Sequence, residues 1–179
     1  MSLKHLQCET LDIHAGGRDL IFPHHENEIA QAEALRGGTP FAKYWIHHGL
    51  ITVNGQKMAK SAGNFITIQD ALKKYPLDDL KLFFLFSHYA SNIDFTAQKM
   101  EEAHKAMQKF DVLFWKAHDL LQGKKFQLTQ TVDFVERHKS DFLAAMDDDF
   151  NTPKALAALF ELISDINKFI DHASEDDNY

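Results

Sequence analysis

The sequence contains a single cysteine and no long apolar run. Cys8 cannot form an internal disulfide, which is typical of proteins from a reducing compartment, so a cytoplasmic location is expected. No stretch of eighteen apolar residues occurs, and this excludes a membrane-spanning helix. The first residues also lack the apolar segment of a signal peptide. The composition therefore favours a soluble protein without a membrane partner.

Positive charge is also scarce, because 19 Lys and Arg face 26 Asp and Glu, for a formal charge of −7. This is the wrong sign for a general nucleic-acid binder, although a local basic strip remains open. Hydrophobic residues make up 45% of the chain and include 15 Phe, which is ample for a core. The length of 179 residues allows one domain or two small ones.

The first half of the chain alternates strand and helix signals. A short strand is predicted from Leu11 to a break at Gly16–Gly17, and a helix from Pro23 to about Arg36. Residues 44–54 favour a strand that ends in a turn at Asn54–Gly55, followed by a loop over residues 55–64.

The second half is helical. Thr67 can cap a short helix, and the apolar residues between Asp78 and His88 predict a helix that is buried on several sides. Beyond about Phe95, steps of three and four predict a long amphipathic helix, then a second that includes Val132, then a third after a cap at Asn151 or Thr152. We therefore expect a mainly α protein with a small α/β part over residues 1–95 and an antiparallel helical bundle over residues 96–179.

Two imidazoles and two carboxylates lie within the segment Phe22 to Glu28. His24 and Glu28 are four residues apart, so on a helix they share one face, as two ligands of one metal ion do. The alternative is an ordinary helix start whose acidic residues favour the helix dipole.

Two lysines three residues apart, Lys57 and Lys60, lie between Gly55 and Gly63. Cations on a glycine-flanked loop can stabilise phosphate charge, and the alternative is a pair of solvated lysines. His14, Gly16, Gly17 and Asp19 occur where a strand ends, which is where ligands bind in doubly wound folds, unless the segment is only a tight turn. His47 and His48 are interpreted as packing or hydrogen-bonding residues unless they face the ligand-binding cleft.

These motifs resemble one family. The segment Lys57 to Ser61 resembles the Lys-Met-Ser-Lys-Ser signature of class I aminoacyl-tRNA synthetases, with Ala59 at the middle Ser. The segments Asp12 to Leu20 and Phe22 to Glu28 resemble the cysteine-specific members, the cysteinyl-tRNA synthetases, with Ala15 in place of a third Gly. Asp147 to Pro153 continues the resemblance, which spans roughly residues 10–170.

The resemblance implies the C-terminal portion of a class I Rossmann-type catalytic domain, followed by a helical bundle that contacts tRNA. It implies activation of cysteine with ATP and transfer to tRNA(Cys), by a monomer that holds zinc. Zinc ligands would be His24 and Glu28, and the catalytic cations would be Lys57 and Lys60. The nucleotide and substrate would lie beside His14, Gly16, Gly17, Arg18, Asp19, Ile51 and Lys60.

Two family features are missing. The sequence has no His-x-Gly-His segment for ATP, and it has one cysteine where the family uses two zinc-binding thiolates, a role not assigned to Cys8. We therefore expect a C-terminal part of the enzyme, inactive alone, with an incomplete zinc site. The alternatives are a cysteine:amino-sugar ligase, as in mycothiol synthesis, and a non-catalytic truncated paralogue that binds RNA or protein.

Overall fold

A computed structural model describes residues 2–121 and 133–176, with side chains described as far as residue 171. Its contacts divide the chain into two compact units. The first comprises Met1–Lys57 and Tyr89–Asp94, and the second comprises Met58–His88 and Phe95–Tyr179. The domain division near residue 95 stays a prediction.

The first unit is built on a β-α-β arrangement. After the short helix α1 (Ser2–Leu6) come strand β1 (Leu11–Gly17), helix α2 (Glu26–Leu35) and strand β2 (Ala42–His48). The two strands pair in parallel, in a register that runs from Leu11 opposite Ala42 to Gly17 opposite His48. Their carboxyl ends therefore lie side by side at one edge of the sheet. Buried Leu11, Phe41 and Ala42 form a small core, against which Leu3, Cys8, Ala32 and Trp45 pack.

The segment between β1 and α2 contains two helical turns that are separated at Phe22. The backbone forms a 3-10 turn over Arg18–Leu20 and a wide helical turn over Ile21–His25, and regular α-helix follows from Glu26. Within the second turn Phe22 alone has extended φ and ψ angles, −131° and 134°, so the backbone is helical from Pro23 onward and the helix start predicted at Pro23 is confirmed. The helix ends at Leu35, one residue before the predicted end at about Arg36. The chain then turns at Gly37 and Gly38, and the N–H of Gly38 donates to the Glu33 carbonyl at 2.9 Å.

A second small sheet has the strand order β4-β3-β5, with β3 at Ile51–Val53, β4 at Gln56–Lys57 and β5 at Ile93–Phe95. Asn54 and Gly55 have φ angles of 51° and 75° and form the predicted turn. The single strand predicted over residues 44–54 is interrupted at Gly49, whose N–H donates to the Tyr89 carbonyl at 2.8 Å instead of continuing the β1–β2 ladder. Lys57 lies in β4, so the predicted loop begins after it.

The second unit begins with a 3-10 turn, Lys60–Ala62, and two helices, α3 (Ile68–Leu72) and α4 (Leu77–Leu85). Thr67 caps α3 as predicted, because its Oγ1 accepts a hydrogen bond from the Asp70 N–H at 3.0 Å. Leu80, Leu82 and Phe83 of α4 are buried, whereas Phe84 and Leu85 are 47% and 42% exposed. Burial of α4 on several sides is therefore wrong, and its apolar face is one-sided.

Three long helices complete the second unit: α5 (Ala97–Leu121), α6 (Asp133–Asp147) and α7 (Thr152–Asp176). Helices α6 and α7 are antiparallel. His138, near the start of α6, contacts Asp165 in the second half of α7 at 3.0 Å. At the other end, the N–H of Asn151, just before α7, donates to the Ala145 carbonyl near the end of α6. Helix α5 runs beside α7, with Phe110 against Phe160 at 5.4 Å between ring centroids. Val132 lies outside the described residues.

The core of this bundle consists of small and medium apolar side chains, namely Met100, Ala103, Ala145, Ala155, Leu156 and Ile163. Helix predominates over two small sheets, which confirms the predicted mainly α class. Among the described residues, no helix combines the length and the apolar character needed to cross a bilayer.

Candidate active site

The carboxyl ends of β1 and β2 bring several imidazoles together in the first unit. His14 lies in β1 opposite Trp45, and Gly16 lies opposite His47 in β2. The turn after β1 then returns His24, His25 and α2 to the same edge of the sheet. This is the edge at which parallel α/β sheets bind ligands.

His25 is the centre of this group. It is only 3% exposed, and its Nδ1 lies 2.8 Å from Nε2 of His47. Its ring also contacts His14 at 5.0 Å and Trp45 at 5.1 Å between centroids. Because two imidazoles and an indole surround it, the His25 ring has a fixed position.

Gly16 provides the space for this ring. A Cβ at Gly16 would lie 2.8 Å from Cε1 and 2.9 Å from Nε2 of His25, closer than real Cβ atoms approach other atoms. The φ angle of Gly16 is not in the left-handed region, so its role here is steric rather than conformational. The sequence predicts that the absence of a side chain at Gly16 lets a ligand approach the backbone. In this structure the His25 ring occupies that space.

Glu28 connects α2 to the imidazoles. Its Oε2 lies 2.9 Å from Nε2 of His14, and its Oε1 lies 3.7 Å from Nε2 of His24. Oε2 is buried, yet the angles at the 2.9 Å contact do not make a hydrogen bond, so this oxygen is left without a hydrogen-bond partner. A buried carboxylate oxygen in this situation is suited to a cation.

One donor atom from each of His14, His25 and Glu28 lies within 4.8 Å of the other two. Two imidazole nitrogens and a carboxylate oxygen are ligands that Zn²⁺ accepts. The predicted ligand pair, His24 and Glu28, lies on the same side of the turn, but the His24 side chain is 59% exposed and stands at the rim. The donor chemistry therefore fits zinc. Cys8 is not part of this group and packs against the small apolar core instead.

Sequence reasoning missed the contributions of His25 and Trp45. His25 precedes Glu28 by three residues, a spacing that also places both on one helical face. The parallel pairing of β1 with β2 brings His14, Trp45 and His47 around His25 and so makes it the centre of the group. His47 does face this edge, through its contact with His25. The signal in the sequence is the repeated imidazole, in His24–His25 just before α2 and in His47–His48 at the end of β2.

The surroundings of His25 favour its neutral form. Burial lowers the pKa of His25 below its usual 6.5, and the neighbouring imidazoles of His14 and His47 lower the pKa further. The Glu28 carboxylate acts in the opposite direction but does not reverse the shift. A neutral imidazole keeps a lone pair, which is the form that accepts a proton or binds a metal.

The predicted nucleotide residues Gly17, Arg18 and Asp19 follow directly after His14 and Gly16. Gly17 ends β1, and Arg18 and Asp19 form the exposed 3-10 turn. The Asp19 carboxylate folds back against Gly17, in the position that a Cβ would occupy. Arg18 and Asp19 are thus exposed at the carboxyl end of β1, where they are accessible to a ligand.

Ile51 and Lys57 belong to the second sheet of the first unit. Ile51 is half-buried at the start of β3, and Lys57 pairs with Thr52 across the β3–β4 hairpin. Lys57 is exposed.

Lys60 belongs to the second unit, where it begins the 3-10 turn of the lysine loop. Its ammonium lies 5.4 Å from the ring centroid of Phe65. The loop is closed by Asn64, whose Oδ1 accepts from the Ala59 N–H at 2.9 Å, and by Gly63 with a φ of 67°. Lys60 is solvent-exposed on a loop whose ends are fixed, so it can reach a ligand without unfolding the turn.

Residues 1–105 match the family model described as the tRNA synthetases class I (C) catalytic domain, and residues 141–178 match the DALR domain. The first match covers more than half of the chain. The chain belongs to the class I (C) tRNA synthetase family.

Curated relatives of this synthetase chain are cysteine–tRNA ligases. That of Aquifex aeolicus is 47% identical over 94% of the chain, and that of Persephonella marina is 49% identical over 97%. These matches cover 34% and 36% of the two relatives, so the chain spans about a third of their length. The resemblance to the cysteine-specific family is thereby confirmed.

A solved structure supports the fold. The LeuRS in the ternary complex of Agrobacterium radiobacter K84 agnB2 LeuRS, tRNA and LeuAMS aligns with a TM-score of 0.71 at 17% identity, over 86% of this chain and 22% of that one. This likeness concerns the fold alone. It agrees with the predicted combination of a class I catalytic portion and a helical portion.

Proposed function

We propose that this chain forms part of a cysteine–tRNA ligase, which activates cysteine with ATP to cysteinyl-adenylate and transfers it to tRNA. The observation that carries the proposal is identity of 41% to 49% with cysteine–tRNA ligases over nearly the whole chain. The cluster of imidazoles and a carboxylate at the edge of the β1–β2 sheet supports the proposal, because such side chains bind metals and substrates and are not needed to stabilise the fold. The expected setting is cytoplasmic and monomeric.

The proposed function gives these residues three tasks. Exposed Arg18 and Asp19 can bind the adenylate at the carboxyl end of β1, with the backbone of Ile51 beside the adenine. Lys57 and Lys60 can stabilise negative charge on the phosphate as pyrophosphate leaves, where electrostatics and positioning dominate. A carboxylate oxygen of Glu28 and ring nitrogens of His14, His24 and His25 can hold zinc.

When bound, zinc would supply a soft Lewis acid for a thiol, which separates cysteine from serine. The chain's own residues prepare this position. Gly16 and His47 hold the His25 ring, and burial keeps that ring neutral. The Glu28 carboxylate lies between the imidazoles of His14 and His24, and these contacts orient it although its Oε2 accepts no hydrogen bond.

A chimaeric enzyme tests the proposal. The matched segment of the Aquifex aeolicus ligase is replaced by this chain, and cysteine-dependent ATP–pyrophosphate exchange and tRNA charging are measured. Both activities should be present. Exchange without tRNA charging, together with ligation of cysteine to an amino-sugar, would contradict the tRNA proposal in favour of the alternative ligase.

Within that chimaera, Lys60→Ala should lower kcat for exchange by roughly 30- to 1,000-fold, which corresponds to about 2–4 kcal/mol for one well-placed donor. The KM for cysteine should change little, because the cation acts on charge that develops in the transition state. Lys81→Ala, at an exposed lysine of α4, is the matched control. Equal losses in cysteine affinity and turnover would assign the loop to pocket support.

The 179-residue chain by itself should not catalyse this exchange. It has no His-x-Gly-His segment and neither of the two zinc-binding thiolates of the family, and an incomplete set of catalytic groups cannot stabilise the transition state. Exchange above a protein-free blank that Lys60→Ala abolishes would show the opposite.

A further inference from the structure

The β3–β4 hairpin of the first unit is tied to strand β5 by one side chain. Oδ1 of Asp94, in β5, accepts a hydrogen bond from the hydroxyl of Thr52 at 2.7 Å and another from the Gly55 N–H at 2.8 Å. Thr52 lies in β3, and Gly55 lies in the turn that joins β3 to β4. Asp94 therefore holds both the strand and the turn through one oxygen atom.

The start of β3 is held from the same segment. The Leu50 N–H donates to Oδ1 of Asn92 at 2.8 Å, and the Ile93 N–H donates to the Leu50 carbonyl at 3.0 Å. The chain from Leu50 to Gly55 is thus fixed at both ends by one short segment. Ile51, whose backbone is assigned to the adenine under the proposed function, lies between these two ends.

Thr52 connects the Asp94 contact to Lys57. The two residues lie directly opposite each other in the antiparallel β3–β4 pair, with Val53 opposite Gln56 next to the turn. A hairpin of two residue pairs has few contacts of its own, and an isolated two-stranded hairpin is marginally stable in water. The position of Lys57 therefore depends on what holds Thr52 and the turn.

A carboxylate is a suitable acceptor at this place. Hydrogen bonds to an ionised oxygen are shorter than neutral ones and about twice as strong. Thr52 and Asp94 are both half-buried, so water competes less for their contact than it does at an exposed site. The 2.7 Å distance between the Thr52 hydroxyl and the carboxylate agrees with a strong, charge-assisted bond.

From these contacts we infer that Asp94 is a positioning residue for adenylate formation, acting through the β3–β4 hairpin on Lys57. The inference rests on the proposed function and adds a residue to that site. Asp94 acts through the hairpin and not on the substrates: its carboxylate fixes where the Lys57 ammonium stands relative to the phosphates. Misplacement of a catalytic group by about 1 Å can cost about a hundredfold in rate, so the effect belongs to kcat.

The contact itself is measured on this chain. Amide hydrogen exchange of Gly55, followed by NMR, reports the hydrogen bond from its N–H to Asp94. Exchange at Gly55 should be about tenfold faster in Asp94→Ala, whereas Asp94→Asn, which keeps an oxygen acceptor, should restore most of the protection. The Gly63 N–H, which donates to the Lys60 carbonyl at 3.2 Å, is the reference amide and should not change.

The catalytic role is measured in the chimaeric enzyme as a double-mutant cycle with Lys57. Asp94→Ala should lower kcat for ATP–pyrophosphate exchange by about 10- to 100-fold, while the KM for cysteine changes by less than about threefold. In a Lys57→Ala background, the same substitution should lower kcat by less than about threefold, because the cation that Asp94 positions is already absent. The KM for ATP should rise in both backgrounds, since the backbone of Ile51 moves with the hairpin.

Asp70→Ala is the matched control. Asp70 also accepts a hydrogen bond from a threonine hydroxyl, that of Thr67 at 2.7 Å, but it lies in α3 and outside the hairpin. This control should leave kcat within about twofold of the unsubstituted chimaera. If Asp94→Ala does not fold, Thr52→Val takes its place in the cycle, because it removes only one of the two donors, and Thr52→Ser restores that donor.

Two results would overturn the inference. Equal losses of kcat from Asp94→Ala with and without Lys57 would show that Asp94 only stabilises the hairpin. A loss in Asp94→Asn as large as that in Asp94→Ala would show that the charge acts and not the hydrogen bonds.

The two proposals fail separately. An unsubstituted chimaera without exchange activity contradicts the ligase assignment. Unchanged amide exchange at Gly55 in Asp94→Ala, measured on the chain alone, contradicts only the role of Asp94.

Discussion

Gly49 offers the sharpest test of the packing in the first unit. Glycine here is required by close approach and not by backbone conformation, because its φ lies outside the left-handed region. A Cβ at this position would overlap the carbonyl oxygen and carbon of Ser91 and lie 2.7 Å from the backbone N of Asn92. These are backbone atoms, so no side-chain rotation can relieve the overlap in Gly49→Ala.

The cost follows from the contacts that must open. Moving the two segments apart strains three hydrogen bonds: Gly49 N–H to Tyr89 O at 2.8 Å, Leu50 N–H to Asn92 Oδ1 at 2.8 Å, and Ile93 N–H to Leu50 O at 3.0 Å. At about 0.5–1.5 kcal/mol net for each, the loss of all three lowers the free energy of unfolding by roughly 1.5–4.5 kcal/mol. Since β3 follows directly, the displacement would also move Ile51.

Urea unfolding followed by circular dichroism measures this difference. Gly37→Ala is the matched control, because its φ is 63° and nothing lies within 4 Å of the added Cβ. It should cost only about 1–2 kcal/mol, the penalty for a left-handed alanine. If Gly49→Ala is no less stable than Gly37→Ala, the segment 89–92 does not pack against Gly49 in this way.

Three further results are expected. His25→Gln should flatten the pH dependence of the free energy of unfolding between about pH 7.5 and 5.5. The pKa of His25 in the folded chain lies below 6.5, so the unfolded chain takes up the proton first and stability is lost as the pH falls through 6.5. An unchanged slope in the variant would refute this. Thr67→Ala should lower the free energy of unfolding of the second unit by about 1 kcal/mol through loss of the α3 cap, whereas Thr39→Ala, outside any helix start, serves as the control. Zinc added to the purified chain should be removed by a mild chelator and bind more weakly still in Glu28→Gln, and stoichiometric zinc that survives chelation would show that the site is complete.

Local signals were sufficient for much of the fold. The turn at Asn54–Gly55 and the cap at Thr67 depend on short-range backbone geometry, and the structure has both. The long helices α5 and α7 follow from a hydrophobic period that extends over 25 residues in each, where a few atypical residues do not hide the pattern.

The errors lie where tertiary contacts decide. Phe84 and Leu85 read as core residues from composition, but in the second unit they remain half-exposed. The strand after His48 stops because a distant segment, through Tyr89, accepts the hydrogen bond of Gly49, which no local pattern indicates.

The same distinction explains which site residues could be found. His24 and Glu28 are visible at a spacing of four, since that spacing is local. His25 becomes central only through His47, which is 22 residues away in sequence, and through the absent side chain of Gly16. Sequence motifs therefore show which residues belong to a site, whereas tertiary packing decides which of them is buried at its centre.

The two departures from the family motifs can be judged on the same physical grounds. Ala15 lies within β1 and has no positive φ, so a methyl group is compatible with its extended backbone. Ala59 has φ and ψ of −150° and 144°, and the contact that closes the lysine loop uses its N–H, which any residue except proline supplies. Gly16 differs from both, because the imidazole of His25 occupies the place of its Cβ. Substitution is therefore tolerated where the motif uses only backbone, and we expect Gly16→Ala to displace His25 while Ala15→Gly leaves the imidazole group in place.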